Sequence, residues 1–274
     1  MRGRGAGPLA TAALALLVAF AAFPFAWALL ASVTPEAELF RGGGVLPERW
    51  VADHYRALFA TRDFWVPIRN SLVVAGTTTA FCVTVGGLAA YALARLDFPG
   101  KAPVLGLVLA VTMFPQISIV SPLFLLLRGL RLIDTYPGLV LPYLTFAMPL
   151  TVWLLVGYFR QIPPDLEEAA RIDGATRWQA LTRVVLPLAV PGLATTAILT
   201  FIYCWNEFLF ALSFTLGPDR RTVPVAIALF RGQYQVPWGE VLAASVVATA
   251  PVAALVLAFQ RRIVQGLTSG AVKG

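Results

Sequence analysis

The chain has 274 residues, of which 58% are hydrophobic and 13% charged, with a mean hydropathy of +0.77. That excludes a soluble domain of this length and points to an all-α integral membrane protein forming a single domain over 1–274. The formal charge of +7 requires no nucleic acid, because basic loops beside a membrane meet anionic headgroups.

Arg2 and Arg4 precede an apolar run over about 8–33. A signal peptide would have a shorter apolar core ending at a small-residue cleavage site, so the run reads as an uncleaved first span. Residues 34–65 are polar and mixed. Within them Trp50, His54, Tyr55, Leu58 and Phe59 recur at helical spacing. Two readings stay open: a helix lying in the membrane interface, or one packing on its own domain. Asn70-Ser71 leads into a second span over about 72–94. A turn at RLDFPGK, with Phe98-Pro99-Gly100 as its breaker, follows. The third span, about 104–127, contains Phe114-Pro115-Gln116. Its proline frees a backbone carbonyl, which suits either a kink beside a transport path or a packing kink. A short turn over 128–136 leads to a fourth span at about 137–159, with Pro142 and Pro149 inside it.

The longest polar interruption of the second half then runs from Pro163 to Pro187. Asp165 is placed as an N-cap, with Glu168 at capping-box spacing. Leu166, Ala169, Ala170 and Asp173 share one helical face. Gly174 falls where a left-handed C-terminal cap is wanted. Thr176 and Gln179 repeat the capping spacing, and Trp178, Leu181 and Val185 form the apolar stripe of a second short helix. From Arg160 to Arg183 there are four arginines and four acids. This helix–turn–helix therefore lacks the positive excess that nucleic-acid binding uses.

The fifth span is placed at about 188–214, with Pro187 and Pro191 near its first turn, where a missing N–H costs little. Trp205-Asn206-Glu207 lies about twenty residues in, which at roughly 1.5 Å per residue is near the far side of the bilayer. Glu207 is the one carboxylate inside any predicted span. Such a group faces a polar cavity or a partner subunit, or else snorkels to the interface. A loop over 216–239 holds Asp219, Arg220, Arg221, Tyr234 and Trp238. The sixth span covers about 241–259, and the tail reads QRRIVQGLTSGAVKG. On composition alone that tail is a frayed end.

Cys82 and Cys204 sit inside apolar runs and read as packing residues. The single histidine, His54, has no carboxylate cluster around it to build a metal site. Gly100-Lys101 lacks both the upstream glycine and the hydroxyl residue of a phosphate-binding loop. There is no nucleophile elbow and no cofactor fingerprint. The expectation is a chain that is not an enzyme, with no catalytic residue, no metal and no cofactor, and any driven work supplied by a partner.

Glu168-Ala169-Ala170, Gly174 and Val184-Val185-Leu186-Pro187 together resemble the "EAA" loop of permease subunits of binding-protein-dependent, ATP-driven (ABC) importers. Val184 stands where the family usually has isoleucine. Asn70-Ser71, WNEFLFAL after Cys204, and the tail ending Gly270-Ala271-Val272-Lys273-Gly274 are similar to the maltose-type members that import carbohydrates. The resemblance covers Asn70 to Gly274. It implies the type I importer permease fold, with six transmembrane helices and a cytoplasmic coupling helix, in a plasma (inner) membrane. It implies a second permease as heterodimer partner, two ATP-binding subunits and an extracytoplasmic sugar-binding protein. The loop over 216–239 is the equivalent of one that reaches into the binding protein in maltose-type importers. Glu168, Ala169, Ala170, Asp173, Gly174, Leu186 and Pro187 are then the ATPase-coupling residues. Gly270, Lys273 and Gly274 are the C-terminal ATPase contact, and Trp205, Asn206 and Glu207 lie on the translocation path. The implied solute is a di- or oligosaccharide, with glycerol-phosphate or an amino acid as alternatives. A stand-alone secondary transporter would show related halves with paired broken helices, and neither is visible.

Six spans put both termini on one side. With termini and coupling loop inside, eleven Lys/Arg fall inside and ten outside, so the basic-residue bias is nearly mute. The resemblance, with Arg2, Arg4, Arg95, Lys101, Arg261 and Arg262 near span ends, places both termini in the cytoplasm.

Overall fold

The computed structural model describes residues 7–40, 46–230 and 236–271, with side chains up to Gln260. The described residues are helical or irregular, with no strand among them. Among the described residues, five helices are long and apolar enough to cross a membrane, or six if one bent pair counts as a span. The chain divides into two units, 1–65 with 227–251, and 66–226 with 252–274.

In the first unit, α1 (Pro8–Ser32) leaves Leu9, Phe20 and Phe25 exposed. A soluble protein would bury so continuous an apolar surface, whereas a bilayer is its natural solvent. The helix over the 50s resolves one of the open alternatives. In α2 (Asp53–Ala60), Leu58 is fully buried. Tyr55 shares a 2.7 Å hydrogen bond with Ser32, and His54 Nε2 bonds the Thr34 carbonyl at 2.9 Å. The helix therefore packs on its own unit. Glu36 accepts from the backbone N–H of Trp238 and Gly239. It thereby caps the start of α12 (Trp238–Ala271).

The second unit is built on α3 (Trp65–Arg95), α6 (Tyr136–Gln161) and α9 (Leu186–Trp205). α3 starts seven residues before the expected second span, because Pro67 is tolerated in a first helical turn. Gly192 lets α9 close on α6: a Cβ there would sit 2.6 Å from Cγ of Tyr158. Thr151 and Thr200 bridge the same pair at 2.8 Å. Cys82 and Cys204 are buried and free, as packing residues should be.

Two expected helices are not continuous. The stretch over 104–127 is broken into α4 (Lys101–Thr112) and α5 (Gln116–Gly129), bent by 94°. Pro115 is the N-cap of α5; its ring disfavours helical backbone at Phe114, so the break falls there. The helix expected over 188–214 instead begins at Arg177 and ends at Trp205. It runs through α8 (Arg177–Ala180) and a π-type turn at Leu181–Val185 into α9. Pro187 cannot donate to the Arg183 carbonyl and would crowd it. The wider turn just upstream, where the Leu186 N–H reaches back to the Leu181 carbonyl, lets the helix pass through the proline. After Trp205 the chain breaks, and two short helices follow, α10 (Leu209–Phe214) and α11 (Val223–Ala228).

Candidate functional site

The polar interruption after α6 folds as α7 (Pro164–Ile172), a turn, and α8. Helix α7 starts two residues earlier than an N-cap at Asp165 implies. Pro163 is its N-cap and Pro164 its first residue, so Asp165 is inside the first turn and caps nothing. Proline at the first helical position is preorganised for that start, and Asp165 and Glu167 instead face the positive end of the helix dipole. At the other end Asp173 is the C-cap and Gly174 adopts φ +90°. A side chain there would strain the backbone. Thr176 and Gln179 make the expected reciprocal capping box.

The orientation of α7 is set by a carboxylate that the motif does not feature. Glu167 Oε1 accepts a hydrogen bond from the Tyr91 hydroxyl, and Oε2 lies 3.7 Å from Arg95 Nε. Arg95 also donates to the carbonyl of Ile162, the C-cap of α6. Both charged side chains are largely buried. The end of α3 thus grips the loop at two points. Behind the grip lies an apolar cluster of Tyr91, Val156, Phe159, Leu181 and Val185 with their neighbours.

With Glu167 turned inward, the opposite face of α7 points out. Glu168, Ala169, Asp173 and Gly174 are exposed and Ala170 is half-buried. Ile172 is 86% exposed, Trp178 62% and Leu166 44%. Trp178 therefore does not join Leu181 and Val185 in the core, as its place in the predicted stripe suggests. Leu186 and Pro187 lie beyond the π-type turn at the start of α9, half-buried and exposed respectively. The outcome is a compact surface combining an acidic side chain, small residues and large apolar ones, held rigidly from behind.

The other predicted residues lie elsewhere. Gly270 is near the end of α12, while Lys273 and Gly274 fall outside the described residues. Trp205, Asn206 and Glu207 sit at the far end of α9, twenty residues from Leu186. Trp205 is buried and stacks on Phe201. Asn206 is exposed and its amide bonds the Ile202 carbonyl at 2.8 Å, closing the helix. Glu207 does not lie within a continuous helix. Its carboxylate is 8% exposed and accepts from the N–H groups of Phe210 at 2.8 Å and Ala211 at 3.1 Å. It holds the start of α10, and so satisfies backbone donors that a break within the membrane would otherwise leave bare.

Sequence reasoning missed Tyr91, Arg95 and Glu167 as a group. Their only signal was a tyrosine and an arginine at the end of an apolar run, and nothing local pairs residue 91 with residue 167.

The family described as "Binding-protein-dependent transport system inner membrane component" matches residues 82–269. Three curated relatives are similar along almost the whole chain. The trehalose transport system permease protein SugB of Mycobacterium tuberculosis is 48% identical over 94% of this chain and 95% of its own length. The trehalose/maltose transport system permease protein MalG of Thermococcus litoralis is 43% identical over 94% of each. The sulfoquinovosyl glycerol transport system permease protein SmoH of Agrobacterium fabrum is 42% identical over 97% of this chain and 94% of its own. Among solved structures, a chain of a bacterial ABC transporter importing alginate matches with a TM-score of 0.79 at 23% identity, over 93% of this chain and 95% of that one. That likeness establishes the type I permease fold, and the family is one of transport subunits that leave ATP hydrolysis to a separate protein. This chain is a multi-pass membrane permease and belongs to the family of inner membrane components of binding-protein-dependent transport systems.

Proposed function

We propose that this permease is half of the translocation path of an ATP-driven importer of di- or oligosaccharides. Its partners in this reading are a second permease, two ATP-binding subunits and an extracytoplasmic sugar-binding protein. The loop over 163–187 is the docking element for the ATPase. It lies with both termini on the cytoplasmic side, and the tail at Gly270, Lys273 and Gly274 adds to the contact. The observation that carries this is the posture of α7: Glu167 is clamped inward, which leaves Glu168, Ala169, Ile172 and Trp178 facing out. A partner pushing on that face moves α3 and α6 with it, which is how rigid bodies switch at interfaces. The small side chains Ala169 and Ala170 admit a close approach, and Gly174 sets the turn. On the far side, the break after Trp205 faces the path through Asn206, while Glu207 and Trp205 keep the break in shape.

The sugar assignment is supported by the relatives, named for trehalose, maltose and a glycosylated glycerol. A binding-protein partner is supported by a solved alginate transporter in complex with a periplasmic protein. The test is uptake of radiolabelled trehalose and maltose into vesicles carrying the whole complex. Uptake that needs ATP, the ATPase and the binding protein is expected. Uptake by the permease without the ATPase subunits would overturn the reading, and uptake of an amino acid or glycerol-phosphate instead would overturn the choice of solute.

A further inference from the structure

The far end of α3 is built like the end that grips the coupling loop. Asn70 is fully buried and uses its whole amide. Its Nδ2 donates to the carbonyls of Asp219 and Arg221, both at 2.9 Å, and its Oδ1 accepts from the Tyr136 hydroxyl at 2.7 Å. Next to it, Ser71 Oγ accepts the Val223 N–H at 2.8 Å. The Arg220 guanidinium covers the Tyr136 ring at 4.6 Å. Asp134 accepts from the N–H groups of Leu216 and Gly217 at the loop's other side. The stretch over 215–222, with a 3-10 turn at Pro218–Arg220, therefore has the N–H groups of Leu216 and Gly217 bound by Asp134, ahead of α6, and the carbonyls of Asp219 and Arg221 bound by α3. Leu216, Pro218 and Asp219 stay exposed on its outer surface.

One uninterrupted helix joins the two grips. From Asn70 to Arg95, within the 31 residues of α3, the rise of 1.5 Å per residue gives about 37 Å. At one end it holds the loop over 215–222, and at the other it holds α7 through Tyr91 and Arg95. Gly86 in between sits so close to α6 that a Cβ there would lie 2.8 Å from Met148 Sδ. The rod is thus held against α6 near its middle as well as gripped at both ends.

We propose that α3 is a strut linking the loop over 215–222 to the coupling helix, with Asn70 and Ser71 as positioning residues at its outer end. A binding protein pressing on the loop then changes the state of α7, and hence of the ATPase, through a single rigid element. This rests on the reading that the binding protein docks on that face and the ATPase on α7.

The test uses the whole complex and measures ATP hydrolysis against the concentration of sugar-loaded binding protein. Asn70→Ala is expected to lower the binding-protein-stimulated rate at least fivefold while hydrolysis without the binding protein stays at the wild-type rate. Tyr136→Phe removes one of the amide's three bonds and should lower stimulation about twofold. A merely structural role would instead lower complex yield and both rates together, and that result would overturn the strut. Full stimulation in Asn70→Ala would also overturn it. Should Asn70→Ala fail to assemble, Ser71→Ala removes only the bond to Val223, and the same two rates decide. A wild-type complex that no binding protein stimulates would overturn the underlying functional reading, which separates that failure from failure of the strut.

Discussion

Glu168 and Glu207 are both glutamates that the sequence singles out, and the molecule uses them in opposite ways. At the loop after α6 the conspicuous carboxylate, Glu168, is left facing out, and its plain neighbour Glu167 is drawn inward to Tyr91 and Arg95. At the break after α9 the conspicuous carboxylate is itself drawn inward and consumed by backbone N–H groups. The first region leaves its carboxylate exposed, while the second satisfies itself. The difference follows from solvent. A helix outside the bilayer can leave polar groups to water or a partner, but a backbone break at membrane depth must find its partners within the protein.

This contrast can be attacked at several points. The largest effect is expected from Gly174→Asp. At φ +90° a side chain is strained by about 1–2 kcal/mol and the exposed turn gains a charge. Uptake in vesicles should fall to background while immunoblots show normal insertion of the subunit.

Glu167→Ala comes next. It leaves the largely buried Arg95 charge without its acid, a loss of order 3 kcal/mol. The complex should lose its ATPase subunits on heating in detergent well before wild type does. Normal co-purification and heat resistance would show that the inward clamp does not set the posture of α7. Trp178→Ala should leave the subunit's own heat stability unchanged, because the ring is already 62% exposed. It should weaken ATPase association by about 1–2 kcal/mol, as truncating an interface aromatic does, and a binding titration would read this. Glu207→Gln keeps one acceptor oxygen of the two. It should lower uptake a few-fold, with Glu207→Leu lowering it further. Equal uptake in both would show that the carboxylate does not hold the break. The smallest effect is Tyr91→Phe, which removes one hydrogen bond to Glu167, about 1 kcal/mol. A modest fall in the melting temperature of the complex is expected.

Much of this was legible without coordinates, because a membrane makes demands that short sequence windows can answer. Composition establishes a membrane protein, and continuous apolar runs of helix-span length make it all-α, since only helices or closed barrels satisfy a backbone in lipid and barrel strands are short and alternating. Gly174 and the Thr176–Gln179 box announce a turn and a helix start by local chemistry alone, and both appear as read. Local signals fail where two prolines compete for a helix start. Pro163 takes the N-cap place given to Asp165, and Pro187 is passed by a π-type turn instead of beginning a helix.

What only the tertiary structure decided are the long-range pairings: Asn70 with Asp219 and Arg221, Tyr91 and Arg95 with Glu167, Thr151 with Thr200. A residue's own type gives its capacity to bond, and the sequence by itself determined that inventory, along with the class of fold and the helix–turn–helix after α6. Which donor meets which acceptor depends on how helices tens of residues apart lie against one another. That choice is made by packing, which no window of sequence contains.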